Sequence, residues 1–181
     1  LEDCSSLGEL YEEEKTSDLE TLKSKYDREK YIRETGTEKS KALRTLNNEL
    51  VKSIEETKIA NFLFMHGIKY EYEKLYPFES DDPKRKAYRP DFYLCDYGIY
   101  LEHFGISKDF TVPWLSPIEE KKYLDGILWK RDFHKENGTK LIETYSYYSS
   151  EGILLKKLEE LLAENSVEFK PRDFTDVFNT V

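Results

Sequence analysis

The sequence predicts an α/β fold in which a central mixed β-sheet is flanked by helices, with a helical extension at the N-terminus. The first observation behind this is the order of the periodic segments, which is helix, strand, strand, strand, helix, strand, helix. The second is residues 88–105, where two aromatic and β-branched runs flank Asp96, Tyr97 and Gly98, as is typical of a β-hairpin. The length of 181 residues suits one domain with a full core.

Residues 1–36 are predicted to form a helical extension or a linker to a parent protein, and residues 37–181 to form one domain. A thin apolar stripe predicts a helix over about residues 17–34, which Gly36 ends. The chain begins with Leu1 rather than methionine, which favours a piece of something longer.

A second helix is expected over residues 37–66, and Gly67 would end it. Its apolar residues recur at helical spacing: Leu43, Leu46, Leu50, Ile54, Ile59, Phe62 and Leu63. Glu56 shares a helical face with Ile59 and Leu63, so it is predicted to point inward, with Glu55 as the alternative. Residues 68–75 then alternate as a strand, and residues 76–87 form a proline-containing loop.

The hairpin has a specific predicted register. If Asp96 and Tyr97 form its loop, antiparallel pairing places Tyr93 opposite Tyr100 and Asp91 opposite Glu102. Strand alternation puts these paired side chains on one face and leaves an apolar core face. The core face consists of Phe92, Leu94, Ile99 and Leu101.

Asp91 and Glu102 are a candidate metal site. Two carboxylates directly opposite one another repel, and burying them is unfavourable as well, so the pair requires a compensating positive charge. A divalent metal would supply that charge. The alternative is that both acids only face the solvent on an amphipathic hairpin.

Three further elements and two terminal segments follow the hairpin. A helix is predicted over residues 117–137, with Ser116 as its N-cap and Pro117 as its first residue. Residues 140–145 are predicted to form a strand and residues 152–164 an amphipathic helix. An edge strand over residues 167–170 and a short helix over residues 171–181 would end the chain.

Composition indicates a soluble, cytoplasmic protein without a membrane partner. Charged residues make up 36% of the chain, the mean hydropathy is −0.75, and no apolar run approaches the ~20 residues of a membrane span. Cys4 and Cys95 lie far apart, which predicts a reducing compartment and no disulfide framework. The N-terminus is acidic and polar, unlike a signal peptide.

Basic segments are candidate DNA-binding surfaces. The net charge of −9 argues against coating of nucleic acid by bulk electrostatics, although a local strip of cations can still meet phosphates. The first strip consists of Lys84, Arg85, Lys86 and Arg89, and the second of Lys130, Arg131, His134, Lys135 and Lys140. A basic run can also be only a solvated face.

Four stretches carry a resemblance to a known family: KSIEETKIANFLFMHGIKYEYE, YRPDFYL, IYLEHFGI and WKRDFHKENGTKLIETYSY. Together, over about residues 51–162, they resemble the PD-(D/E)xK nuclease-like domain inserted in bacterial UvrD-like, or helicase IV-like, superfamily 1 DNA helicases. The resemblance implies a restriction-endonuclease-like core and a Mg²⁺-dependent deoxyribonuclease. It also implies a parent ATP-driven helicase of DNA repair or recombination, whose motor domains and DNA would be the partners.

The resemblance also assigns roles to individual residues. Glu56 matches the helix acid, Asp91 the acid of the Pro-Asp motif, and Glu102 the acid that precedes the family's lysine. That lysine position holds Phe104, and Lys130 on the following helix resembles a migrated lysine. Sequence analysis therefore predicts Glu56, Asp91, Glu102 and Lys130 as the catalytic residues.

Mg²⁺ or Mn²⁺ would be held by Asp91, Glu102 and the main-chain carbonyl of His103. The His103 side chain falls on the apolar strand face, where a core histidine is expected, whereas His134, one turn from Lys130, is a candidate phosphate contact. No G-x-x-x-x-G-K-[ST] sequence occurs, so ATP is expected only in the parent helicase. Two alternatives stay open: an inactive nuclease-fold module that binds or steers DNA for the motor, and a structural insert that docks on other helicase domains.

Overall fold

The computed structural model describes residues 43–173 and residue 175, and the core and site lie in one compact unit, Arg44–Val181. The elements in chain order are β1 (Leu43–Arg44), β2 (Leu50–Val51), α1 (Ile54–Met65), β3 (Tyr70–Tyr72), β4 (Phe92–Leu94), β5 (Ile99–Phe104), α2 (Pro117–Glu136), β6 (Lys140–Tyr145), α3 (Ser146–Ser150) and α4 (Leu154–Glu164). From α1 onward the predicted order is confirmed, with the five-residue α3 as an addition. The predicted helix over residues 17–34 and the predicted boundary at residue 36 lie outside the described residues.

The central sheet has four strands in the order β3, β4, β5, β6. The first two pairings are antiparallel and β5 pairs with β6 in parallel, so the sheet is mixed, as predicted. Tyr93 pairs with Tyr100, which is the predicted hairpin register. The ladder ends at Phe92, and Asp91 reaches β5 through its side chain, whose Oδ2 accepts a 2.7 Å hydrogen bond from the His103 N–H.

Helices cover both faces of this sheet. On the first face α1 and α4 close the main core, which contains Ile59, Ala60, Leu63, Phe92, Leu94, Ile99, Leu101, Ile142, Leu154, Leu158 and Leu162. α2 covers the other face, where Phe133 packs with Tyr76, Tyr88 and Tyr100. Glu102 lies on this α2 face and is only 1% exposed. The interpretation in which both hairpin acids face solvent is therefore wrong for Glu102.

The predicted helix over residues 37–66 is wrong in the part before Ile54 that the structure describes. Two short strands, β1 and β2, pair there instead. The turn between them uses Asn48 at a φ of 66°, a backbone conformation that asparagine tolerates better than most residues. Ser53 then caps α1, since its side chain accepts a 3.1 Å hydrogen bond from the Glu56 N–H. The leucine spacing fits a helix, so it did not reveal the turn at Asn48 or the N-cap at Ser53.

α2 begins at the predicted residue. Ser116 and Glu119 form a capping box in which each side chain accepts a hydrogen bond from the other's main-chain N–H, and Pro117 is the first helical residue. β6 coincides with the predicted strand over residues 140–145, and α4 falls within the predicted final amphipathic helix.

The segment after α4 differs from its prediction. Residues 167–170 do not form a strand; instead the Lys170 N–H donates a 2.8 Å hydrogen bond to the His66 carbonyl at the end of α1. Most of the predicted helix over residues 171–181 lies outside the described residues. Within the part of the chain that the structure describes, no helix has both the length and the apolar character needed to cross a bilayer.

Candidate active site

Three predicted acids converge at one end of the sheet. Glu56 lies in the first turn of α1, Asp91 directly precedes β4, and Glu102 lies in the second half of β5. Antiparallel pairing brings the start of β4 beside the end of β5. Burial first, and the negative charge of Asp91 second, raise the pKa of both Glu56 and Glu102. Asp91 is thus within electrostatic reach of both glutamates.

Glu102 is the most enclosed of these acids, and both of its oxygens have hydrogen-bond donors. Oε2 accepts a 2.6 Å hydrogen bond from the Lys130 ammonium of α2, and Oε1 accepts one of 2.7 Å from the Tyr88 hydroxyl. The resemblance placed Lys130 at the site, and the structure brings it into direct contact with Glu102. A carboxylate at this depth requires such charge-assisted partners, because burial without them is very unfavourable.

A chain of hydrogen bonds continues from Glu102 into the core under α2. The Tyr88 hydroxyl lies 3.0 Å from His134 Nε2, His134 Nδ1 lies 2.7 Å from Thr139 Oγ1, and that oxygen lies 2.5 Å from the Tyr76 hydroxyl. Burial lowers the pKa of His134 to about 4, so the ring is neutral near pH 7.

The direction of the protons in this chain follows from the donor count. Tyr88 has one hydroxyl proton and donates it to Glu102, so its oxygen accepts from Nε2–H of His134. Nδ1 of a neutral ring then accepts from Thr139, which accepts in turn from Tyr76. When Glu102 is ionised, these protons all point towards it and stabilise its negative charge, which opposes the rise of its pKa to about 8 caused by burial.

The charge of Asp91 opposes ionisation of both glutamates of the site. Burial raises the pKa of Glu56 to about 7 and the charge of Asp91 adds to this, while hydrogen bonds from Tyr72 and from the Lys52 main chain oppose it. Burial alone would lower the pKa of Lys130, but the charges of Glu102 and Asp91 outweigh it, so the pKa of Lys130 is raised. One lysine therefore faces two acids, and an additional cation would relieve the repulsion.

Lys52 is a second cation at the site, and sequence analysis missed it. It directly precedes the cap of α1 and pairs with Glu73. Burial would lower its pKa, yet the hydrogen bond and charge of Glu73, followed by the charges of Asp91 and Glu56, raise it. The sequence did contain a signal for Lys52, because this lysine directly precedes Ser53, the N-cap of the helix that carries Glu56. Tyr88, three residues before Asp91, was the comparable signal for the second hydrogen-bond donor to Glu102.

The donor set suits a hard divalent cation. Asp91 is half-buried, and its Oδ1 has no hydrogen-bond partner among the described residues. The hydrogen bond from the His103 N–H places that peptide beside the acid, whereas the His103 ring lies 2.9 Å from Thr144 Oγ1 and burial lowers its pKa. The His103 ring is thus engaged with Thr144 and is not the predicted ligand, which is the main-chain carbonyl of His103.

Side chains alone do not form a metal cage here. Among residues 43–173 and 175, no three His, Cys, Asp or Glu side chains group closely enough to hold a metal ion. A metal at this site would combine the carboxylates of Asp91 and Glu102 with main-chain and water oxygens, which is a common way to bind Mg²⁺.

The first predicted DNA-binding strip lies in the loop before β4. Lys84, Lys86 and Arg89 are exposed, and the Arg89 guanidinium donates a 2.8 Å hydrogen bond to the Glu73 carbonyl. Arg85 is half-buried, 4.7 Å from the centre of the Trp129 ring. The three exposed cations are available for phosphate contacts.

In the second strip Lys135 and Lys140 are exposed, whereas Lys130, Arg131 and His134 are bound to other side chains. Arg131 makes hydrogen bonds of 2.8 and 2.7 Å to the two oxygens of Glu143, so its charge is already compensated within the protein. His134 is 1% exposed, and both of its ring nitrogens are occupied. The prediction that His134 contacts phosphate is therefore wrong, because this position of α2 faces the sheet.

Comparison with known proteins identifies no relative of this chain. The chain matches no protein-family model, no curated protein and no solved structure.

Proposed function

We propose that this chain is a metal-dependent deoxyribonuclease domain of the PD-(D/E)xK type with a restriction-endonuclease-like core. The observation that carries the proposal is the convergence of Glu56, Asp91 and Glu102, with Lys130, at one end of a mixed sheet. The element order supports it, because α1, β3, β4, β5, α2, β6 and α4 follow one another as the resemblance predicts.

Asp91, Glu102 and the carbonyl of His103 would hold Mg²⁺ or Mn²⁺, which would supply a Lewis acid at the phosphodiester. Lys130 would stabilise the negative charge that develops on the phosphoryl oxygens, since its ammonium is fixed at 2.6 Å from Glu102. Glu56, with its pKa raised to about 7, suits the acceptance of a proton from the attacking water near neutral pH. Lys52 adds a second positive charge at the edge of the same site.

The biological setting is also part of the proposal. The parent would be a UvrD-like ATP-dependent DNA helicase acting in DNA repair or recombination. The motor domains of that parent would be the protein partners of this domain.

The proposal is tested by cleavage of labelled DNA with Mg²⁺ or Mn²⁺, comparing the wild type with Asp91→Ala. Cleavage should be lost in the variant while DNA binding in EDTA persists, because Asp91 is a proposed metal ligand and not a phosphate contact. Asp125→Ala is the matched control, since Asp125 is an exposed acid on α2. Unchanged cleavage by Asp91→Ala would refute the assignment.

One specific set of observations favours a second candidate, a nuclease-fold module that binds or steers DNA without cleaving it. Both oxygens of Glu102 already have donors, and buried Phe104 occupies the position of the family's lysine. Calorimetry with Mg²⁺ separates the two candidates. Binding that disappears in Asp91→Ala supports the nuclease, and no binding at millimolar metal by a folded protein supports the inactive module.

A further inference from the structure

A cavity of about 430 Å³ opens beside Lys130. One wall is a single face of α2 that extends over about three turns, from Glu119 to Lys130. Phe104, at the end of β5, and Arg85, from the loop before β4, line other parts of the cavity. Its volume lies within the ~300–1,000 Å³ that is usual for sites of small ligands.

The walls of this cavity combine positive charge with aromatic rings. Lys122, together with Arg85 and Lys130, which are paired with Asp82 and Glu102, supplies the cations, and Tyr123, with the 2% exposed Phe104 beneath it, supplies the rings. The Tyr123 hydroxyl accepts a 2.7 Å hydrogen bond from the Gly105 N–H, which fixes the orientation of its ring.

The one acid in the wall, Glu119, is held by local contacts. Glu119 Oε2 accepts hydrogen bonds of 3.0 and 2.6 Å from the main chain and hydroxyl of Ser116 in the capping box. An anion joined to a flat ring therefore matches the lining, and a nucleotide has that chemistry.

Gly126 provides an independent observation. It lies in the middle of α2, where glycine destabilises a helix relative to alanine. A Cβ atom at this position would meet no atom of the described structure within 4 Å, so no packing contact there requires glycine. The missing side chain instead leaves bare helix backbone in the wall of the cavity. Close approach of a flat ligand would account for glycine at this position.

We propose that this cavity binds one unpaired nucleotide, with its base against Tyr123 and its phosphate towards Lys122 and Lys130. A base can enter such a cavity only after leaving a duplex stack, so the substrate class would be single-stranded ends or DNA with an extruded base. The inference rests on the proposed function in one respect, because Lys130 belongs to both the cavity and the nuclease site.

The test measures binding of deoxyadenosine monophosphate to the full 181-residue chain in EDTA by calorimetry. Deoxyribose 5-phosphate and deoxyadenosine are the comparison ligands. The mononucleotide should bind at least about tenfold more tightly than either fragment, because it uses the rings and the cations together. Equal affinity for the mononucleotide and deoxyribose 5-phosphate would overturn the inference.

Gly126→Leu should fill the cavity and lower the mononucleotide affinity by at least about tenfold. Asp125→Leu adds the same side chain at the neighbouring exposed position, which does not line the cavity, and should change the affinity by less than about twofold. Should Gly126→Leu fail to fold, Gly126→Ala adds one methyl group to a position favourable for helix and should still weaken binding. Unchanged affinity in a folded Gly126 variant would refute the cavity as the site.

Cleavage assays on the same preparations keep this inference separate from the proposed function. If the chain cleaves DNA, the wild type should prefer single-stranded over blunt duplex ends, and a Gly126 variant should lose that preference. Mononucleotide binding without any metal-dependent cleavage would overturn the nuclease and leave the nucleotide cavity. Metal-dependent cleavage without mononucleotide binding would overturn the nucleotide cavity and leave the nuclease.

Discussion

Protonation of His134 should destabilise the folded protein by an amount that follows from its surroundings. The ring is 1% exposed and held between Tyr88 and Thr139, and burial lowers its pKa from 6.5 to about 4. Because the folded-state pKa is depressed, this stability is present above about pH 6.5 and is lost as the pH falls towards 4. At pH 5 the loss is about 2 kcal/mol, from about 1.5 pKa units at about 1.4 kcal/mol each.

The assay is urea unfolding of the wild type and His134→Gln at pH 7 and pH 5. The variant loses hydrogen bonds and should be the less stable protein at pH 7, but it has no imidazole to protonate. The difference in the free energy of unfolding between the two proteins should therefore shrink by about 2 kcal/mol at pH 5. Tyr76→Phe, which removes only the far end of the hydrogen-bond chain, should show no such change. A His134→Gln difference that is equal at both pH values would refute the neutral, buried ring.

Four other predictions follow from the structure. Tyr88→Phe should lower the free energy of unfolding by about 1–3 kcal/mol in urea titrations, because Glu102 Oε1 and His134 both lose a buried partner; an unchanged value would contradict the hydrogen-bond chain. Affinity for Mg²⁺ in calorimetry should rise between pH 6 and pH 8, since Glu102, the proposed ligand with a pKa of about 8, must lose its proton, and ionisation of Glu56, with a pKa of about 7, adds negative charge nearby; a flat profile would place the metal elsewhere. Phe92→Ala should lower the free energy of unfolding by about 3–5 kcal/mol, because Phe92 is fully buried between sheet and helices, and a small loss would contradict that packing. Charge reversal at Lys84, Lys86 and Arg89 should weaken DNA binding and reduce its salt dependence, whereas reversal at exposed Lys156 of α4 should not; equal effects would remove the loop as a DNA surface.

Local patterns in the sequence were sufficient for much of the fold. The hairpin register followed from centring the turn on Asp96 and Tyr97, although the turn spans residues 95–98 rather than these two alone, because alternation then determines every pair in the ladder. The start of α2 followed from Ser116 and Pro117, because capping depends on neighbours in sequence. The same local reasoning failed before Ile54, where two short strands around a turn satisfy the leucine spacing of a helix.

The site was predictable only in part, because its residues are far apart along the chain and local patterns do not show which of them meet. Pairing rules and the family resemblance pointed to Glu56, Asp91, Glu102 and Lys130, and the three acids and the lysine meet at one end of the sheet. Neither rule could show which of the two residues one turn apart on α2 contacts the acids. Lys130 does so, whereas His134 is buried.

Sequence by itself thus determined the elements between Ile54 and Glu164 other than α3, their order and the hairpin register, because these depend on residues close together along the chain. Tertiary structure alone decided the hydrogen-bond chain from Glu102, the place of Lys52 and the cavity beside Lys130. Glu102 and Lys130 are 28 residues apart, and Tyr88 and His134 are 46 apart. Whether such pairs meet depends on how α2 packs across the sheet, and burial and charge, which set their pKa values, exist only after that packing.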